Sequence, residues 1–226
     1  KSYKKAVAIK PDYVDAQNNL GIALKDLGQL DAAVKCFEQV LAIKPDYAEA
    51  HNNLGVIFRD LDQIDNAIKQ FEKALAIKPD FADAYFNLGF INQDLGKVDD
   101  AIKQFEKAIS IKQNYAEAHH NLSYLKKFTE NDSQITLMQS LLSTSDPSQS
   151  DRIHLCLALA KANEKLGKQD EFFEFLHEGN RLRKEEINYS FDKDQNLFSI
   201  VKKMFKTPKS LSYEASTVRP IFIVGM

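Results

Sequence analysis

One short motif returns at a fixed step of 34 residues, and that step constrains the fold more than any other feature. Ala16-Gln17-Asn18-Asn19-Leu20-Gly21 is followed by Ala50-His51-Asn52-Asn53-Leu54-Gly55. Next come Ala84-Tyr85-Phe86-Asn87-Leu88-Gly89 and Ala118-His119-His120-Asn121-Leu122-Ser123. Ala33, Ala67 and Ala101 recur in step, as do Phe37, Phe71 and Phe105. The segment Ala-Ile-Lys-Pro-Asp begins at Ala8, Ala42 and Ala76. A unit this short cannot bury its own apolar face, so the core must form between stacked neighbours.

The recurring residues have physical reasons to recur. Gly21, Gly55 and Gly89 fall inside helical patterns, where Gly costs about 1 kcal/mol against Ala. A cost repeated at one position marks a close approach of the second helix of the pair. Ala33, Ala67 and Ala101 are the small partners expected across that contact, with Phe37, Phe71 and Phe105 filling the space toward the next repeat. Pro11, Pro45 and Pro79 stop each second helix. The Asp after each Pro is expected to cap the helix that follows.

Together these residues resemble the tetratricopeptide repeat, two antiparallel helices per 34 residues with the pattern W-x2-L-G-x2-Y…A-x3-F…P. The second repeat reads His51, Leu54, Gly55, Phe58, Ala67, Phe71 and Pro79. The resemblance implies an all-α fold, a right-handed superhelical solenoid of helix pairs. Tyr3, Ala6 and Pro11 match a second helix, so residues 1–13 read as the end of a truncated upstream repeat. Residues 14–125 hold three full repeats and the first helix of a fourth. Residues 126–187 hold a linker helix and a divergent hairpin, and 188–218 a capping helix and linker.

Residues 219–226, Arg219-Pro220-Ile221-Phe222-Ile223-Val224-Gly225-Met226, form a short strand-like tail. A lone strand cannot satisfy its own hydrogen bonds, so it reads as the first strand of a downstream domain. The order of segments from Asp151 through Gly167, Gly179 and Arg219 to Met226 resembles the tetratricopeptide-repeat sulfotransferases. That resemblance implies a parent enzyme using 3′-phosphoadenosine-5′-phosphosulfate (PAPS), with the cofactor loop after the strand. No catalytic or cofactor residue is placed within these residues.

Composition narrows the function. With 30 Lys and Arg against 32 Asp and Glu, the net charge of −2 argues against a nucleic-acid binder. No apolar run approaches the length of a membrane span. Cys36 and Cys156 lack metal or disulfide spacing and read as reduced core thiols, which fits a cytoplasmic or other reducing compartment. A missing N-terminus leaves a secretory signal open.

The expected working surface is the face of the first helices. At i, i+4, i+7 and i+11 it carries Asp15, Asn19, Ile22 and Asp26, then Glu49, Asn53, Val56 and Asp60. Asp83, Asn87, Phe90 and Asp94 follow, then Glu117, Asn121, Tyr124 and Phe128. Asn19, Asn53, Asn87 and Asn121 thus form a ladder. An Asn amide both donates and accepts, so it can pair with the backbone of an extended peptide. The arm of O-linked N-acetylglucosamine transferase is similar in this respect. The acids favour a basic peptide. The competing roles are structural: the amides tie neighbouring helices together, and the acids form a solvated face.

His51 and His119 take the aromatic packing position, so packing rather than metal binding is expected. Arg181, Arg183 and Lys184 read as a solvated helix face. The sequence therefore predicts a protein-binding scaffold that recruits substrate for a larger sulfotransferase. The alternatives are a stand-alone adaptor, a self-association module pairing through the cut repeat end, and an arm of another transferase.

Overall fold

The computed structural model describes residues 3, 7, 9, 10, 12–144, 146–189 and 191–205. The strand-like tail at 219–226 lies outside them, as does most of the linker before it. The chain divides into a unit ending at Glu186 and a second beginning at Ile187. Among the described residues the first unit contains ten complete helices, and Tyr3, Val7 and Ile9 are helical too.

The helices come in pairs. α1 (Val14–Asp26) packs on α2 (Leu30–Ile43), α3 (Ala48–Asp60) on α4 (Ile64–Ile77), and α5 (Ala82–Asp94) on α6 (Val98–Ile111). α7 (Ala116–Leu125) and α8 (Ser133–Thr144) follow, then the long pair α9 (Gln149–Leu166) and α10 (Gln169–Glu186). First helices touch one another along the row, α1 with α3 and α3 with α5, so they form an inner layer. The second unit holds α11 (Phe191–Phe205), whose Phe191, Leu197, Phe198 and Ile200 side chains are exposed.

Each repeat is held by one aromatic ring. Phe37, Phe71 and Phe105 are fully buried. A Cβ at Gly55 would lie 2.6 Å from the Phe71 ring, and one at Gly89 would lie 2.8 Å from Phe105. The glycine therefore makes room for the Phe of its own repeat. The same ring joins the next repeat's core: Phe37 clusters with Ala50, Leu54 and Ile57. The turn after each first helix uses Gly28, Asp62 and Gly96 in the left-handed region. Asp62 holds φ +58° where its counterparts are glycine, a conformation a short polar side chain tolerates.

The expected Asp caps do not form. α1, α3 and α5 begin after Tyr13, Tyr47 and Phe81, and none of these N-termini has a side-chain cap. Asp46 and Asp80 sit in the turn, one residue too early for that bond. The aromatic residue that follows works instead at the seam between repeats. Lys44 lies over the Tyr47 ring at 5.1 Å, Lys78 over Phe81 at 4.9 Å and Lys112 over Tyr115 at 4.5 Å.

The pattern changes at the fourth repeat. Ser123 stands where Gly is needed, is fully buried, and donates to the His120 carbonyl. α7 packs on α9. Met138 of α8 is fully buried with Leu155, Leu159 and Phe128. Asp132 accepts from the Gln134 N–H at 2.9 Å at the start of α8, and Ser148 caps α9 through Asp151.

Candidate functional site

The inner layer brings the asparagines of successive first helices together, but not as a free ladder. Asn53 Nδ2 donates to Asn18 Oδ1 at 3.3 Å, and Asn87 Nδ2 donates to Asn52 Oδ1 at 3.2 Å. The partners come from the residue just before each ladder position, one repeat upstream. The series stops where that residue becomes Phe86, so Asn121 donates to the Glu117 carbonyl of its own helix. Asn19 is exposed, Asn53 and Asn121 are half-buried, and Asn87 is buried.

Asn87 is held at both ends, because Arg59 Nη1 donates to its Oδ1 at 3.1 Å. The same guanidinium pairs with Asp60 at 3.0 Å and lies 5.4 Å from the Phe90 ring centroid. Sequence reasoning missed Arg59. It faces the ladder because it lies one helical turn beyond Gly55 on the inner side, and a basic residue at that point was hidden by the acidic pattern around it.

The predicted acids also have partners. Tyr47 donates to Asp15 at 3.0 Å, the Tyr115 hydroxyl bonds Asp83, and Lys78 pairs with Glu49 at 3.3 Å. The seam aromatic thus reaches back to the acid of the previous repeat. Phe81 has no hydroxyl, and there the lysine takes over. Burial first, then the bond to Asp15, pushes the Tyr47 hydroxyl up to about 12, so it stays a donor. Lys25 lies 3.9 Å from Asp26. Asp94 and Glu117 are exposed, Phe90 is half-buried, and Tyr124 is exposed. The face is therefore a mixed surface of acids, amides, one guanidinium and aromatic edges.

His51 and His119 are buried and bonded. His51 Nε2 lies 3.2 Å from the Pro45 carbonyl, and its Nδ1 2.7 Å from the Gln70 amide oxygen. His119 Nε2 donates to the Gln113 carbonyl at 2.9 Å, with Gln134 at 3.3 Å from its other nitrogen. Among the described residues no group of three or more His, Cys, Asp or Glu gathers as a metal site. Cys36 and Cys156 are buried and form no disulfide, and burial raises the Cys156 thiol to about 11. No helix among the described residues is long and apolar enough to cross a membrane.

Burial lowers His119, and burial with His154 and Arg183 nearby lowers His120 to about 4. Unfolded histidine titrates near 6.5. A depressed folded value means that the unfolded chain binds more protons in acid. Stability is expected to be full above pH 6.5 and to fall as pH drops toward 4. Urea melts from pH 7.5 to 4.5 check this. A flat profile for the wild type, or an equal slope in His120→Gln, contradicts it.

Family models for the tetratricopeptide repeat match residues 1–28, 23–58, 57–96 and 82–115. A search of curated proteins gives no match. Among solved structures, Pseudomonas aeruginosa PilF aligns with TM-score 0.59 and 16% identity, over 87% of this chain and 86% of that one. YrrB, described as having an unusual peptide-binding site, aligns with TM-score 0.52 and 17% identity, over 80% and 92%. Thermobaculum terrenum O-GlcNAc transferase aligns with TM-score 0.50 and 22% identity, over 57% of this chain and 26% of that one. Such identities speak for the fold. The repeat models span residues 1–115 of 226, just over half of the sequence, and the chain belongs to the tetratricopeptide-repeat family.

Proposed function

We propose that the inner face of α1, α3, α5 and α7 binds an extended segment of another protein. The observation that carries this reading is the line of carboxamides at Asn53, Asn87 and Asn121, bordered by acids and by the exposed Tyr124 ring. Half-buried Asn53 offers hydrogen bonds to a peptide backbone. Asp26, Asp60 and Asp94 favour Lys or Arg in the segment. YrrB, similar in fold, is described as having an unusual peptide-binding site, which agrees with this use of the surface.

The two amides should separate in experiment. Asn53→Ala is expected to weaken binding of a basic peptide by about 1 kcal/mol at near-native helicity. Asn87→Ala removes both an amide rung and the anchor of Arg59, so it should lower the melting temperature as well. Calorimetric titration of acetylated, amidated Lys-containing peptides tests the pair. Unchanged affinity in Asn53→Ala would assign the ladder to stacking alone.

The finer reading is that this scaffold is the recruiting arm of a PAPS-dependent sulfotransferase. It is supported by the segment order after Asp151 and by Arg219 to Met226. Sequencing the natural gene past Met226 tests it. A Pro-Arg-Ser-Gly-Thr-like loop supports it, and a stop codon or a charged linker overturns it. The stand-alone adaptor, the self-association module and the arm of another transferase are then the readings that remain.

A further inference from the structure

The inner row changes chemistry after its third repeat. The position occupied by Asn18 and Asn52 becomes Phe86, then His120 on α7 and His154 on α9. Because α9 packs directly on α7, the two imidazoles meet, with Nδ1 atoms 3.4 Å apart and ring centroids 5.3 Å apart. Only one proton can lie between two facing nitrogens, so one ring donates across the contact and the other accepts. His120 Nε2 is buried with no hydrogen-bond partner. The exposed Tyr124 ring stands edge-on to His120 at 5.2 Å, and Lys161 Nζ lies 5.5 Å from that ring's centroid.

The charges around the pair are mainly positive. From α9 comes Lys161, and from α10 comes Arg183, whose charge acts on His120. On α7 itself the neighbour is Tyr124, and no charged group of α6 acts on His120 among the described residues. Lys165 is committed to the Tyr124 and Lys126 carbonyls. The nearby acids are engaged: Glu164 with Lys161, and Glu178 with Arg181. This end of the row contrasts with Asp15 to Asp94 at the other end. Two imidazoles fall short of the three side-chain ligands that a zinc site uses, whereas their donors and the cations beside them suit an anion.

We propose that His154, backed by His120, receives a carboxylate side chain of the bound segment, and that the pair takes up a proton from solvent as the carboxylate docks. The inference rests on the peptide-binding reading and adds a direction to it. The preferred segment carries Lys or Arg along the first three repeats and an Asp or Glu at the fourth. Without the carboxylate, the added proton would leave a half-buried imidazolium beside its partner ring and Arg183. With it, the added charge is compensated, so affinity for such a segment rises as pH falls.

The probes are acetylated, amidated peptides of about 14 residues, with Lys at one end and Glu at the other, made in both orders. Matched peptides carry Gln for Glu. Titration calorimetry at pH 7.5 and 5.5, in buffers of differing ionisation heat, reads affinity and protons together. One order of the Glu peptide should bind at least about tenfold more tightly at pH 5.5 than its Gln match, taking up a proton. His120→Gln and His154→Gln should each remove that gain and the uptake, while leaving affinity for the Gln peptide unchanged. Equal binding of Glu and Gln peptides at pH 5.5 overturns this inference and leaves the peptide groove standing. Proton uptake that persists in both variants also overturns it. No binding by any peptide overturns both readings.

Discussion

Phe71→Ala is expected to destabilise the stack by about 3–5 kcal/mol, the usual cost of deleting a buried aromatic ring. Phe71 is fully buried and shares a cluster with Ala48, Ala67, Ala74, Phe81, Ala84 and Leu88. It therefore serves two interfaces, the one inside its own repeat and the one to α5. In a stacked array, stability is a sum of repeat and neighbour terms, so a defect at a shared ring weakens both. The unfolding transition should also split, as the repeats on either side lose their coupling. Urea melts followed by circular dichroism read both effects. Ile77→Ala, which removes a side chain 38% exposed in the same repeat, is the control and should shift the midpoint little. A Phe71→Ala loss below about 1.5 kcal/mol, well under the range for such deletions, would mean that neighbouring side chains collapse into the gap.

The repeat architecture was legible because its strongest signals are costs. A glycine inside a helix at Gly21, Gly55 and Gly89 has no local benefit, so its return every 34 residues pointed directly to a close contact. The partner was less legible. Sequence reasoning set Ala33, Ala67 and Ala101 across the contact, whereas the ring that meets the glycine is the Phe four residues later. The Pro-Asp pairs misled for a different reason. They resemble stop-and-cap signals, but the helix starts two residues further on, after Tyr13, Tyr47 or Phe81. At Tyr47 and Phe81 the residue before the helix is an aromatic packed into the core, and the Asp is left in the turn.

The candidate surface was legible in its residue types and hidden in its pairing. Asp15 and Tyr47 are 32 residues apart, and Asn52 and Asn87 are 35 apart. Such contacts depend on repeat rotation, which the period alone does not give. One clue was available: the Asn18-Asn19 and Asn52-Asn53 doublets place a partner beside each ladder residue. The loss of the first Asn at Phe86 and His120 marks where amide pairing ends. The same substitution creates the imidazole pair with His154, so the end of one device is the beginning of another.

Gly55→Ala is the second large effect expected, and its sign is a contest between two terms. Alanine gains about 1 kcal/mol in helix propensity. Against this, the new Cβ would stand 2.6 Å from one Phe71 ring carbon and 2.8 Å from two others. The ring is fully buried and rigid, so it cannot swing aside as a lysine tail could. Overpacking of this kind costs about 1–3 kcal/mol and sometimes more, so net destabilisation of up to about 2 kcal/mol is expected. A double-mutant cycle assigns the cause. Phe71→Leu replaces the flat ring with a shorter, branched side chain, so adding Gly55→Ala to that background should cost little or stabilise. The coupling between the two changes should reach about 1–2 kcal/mol, within the range for residues in contact. Additive effects would show that the glycine serves the backbone of its helix, not the ring.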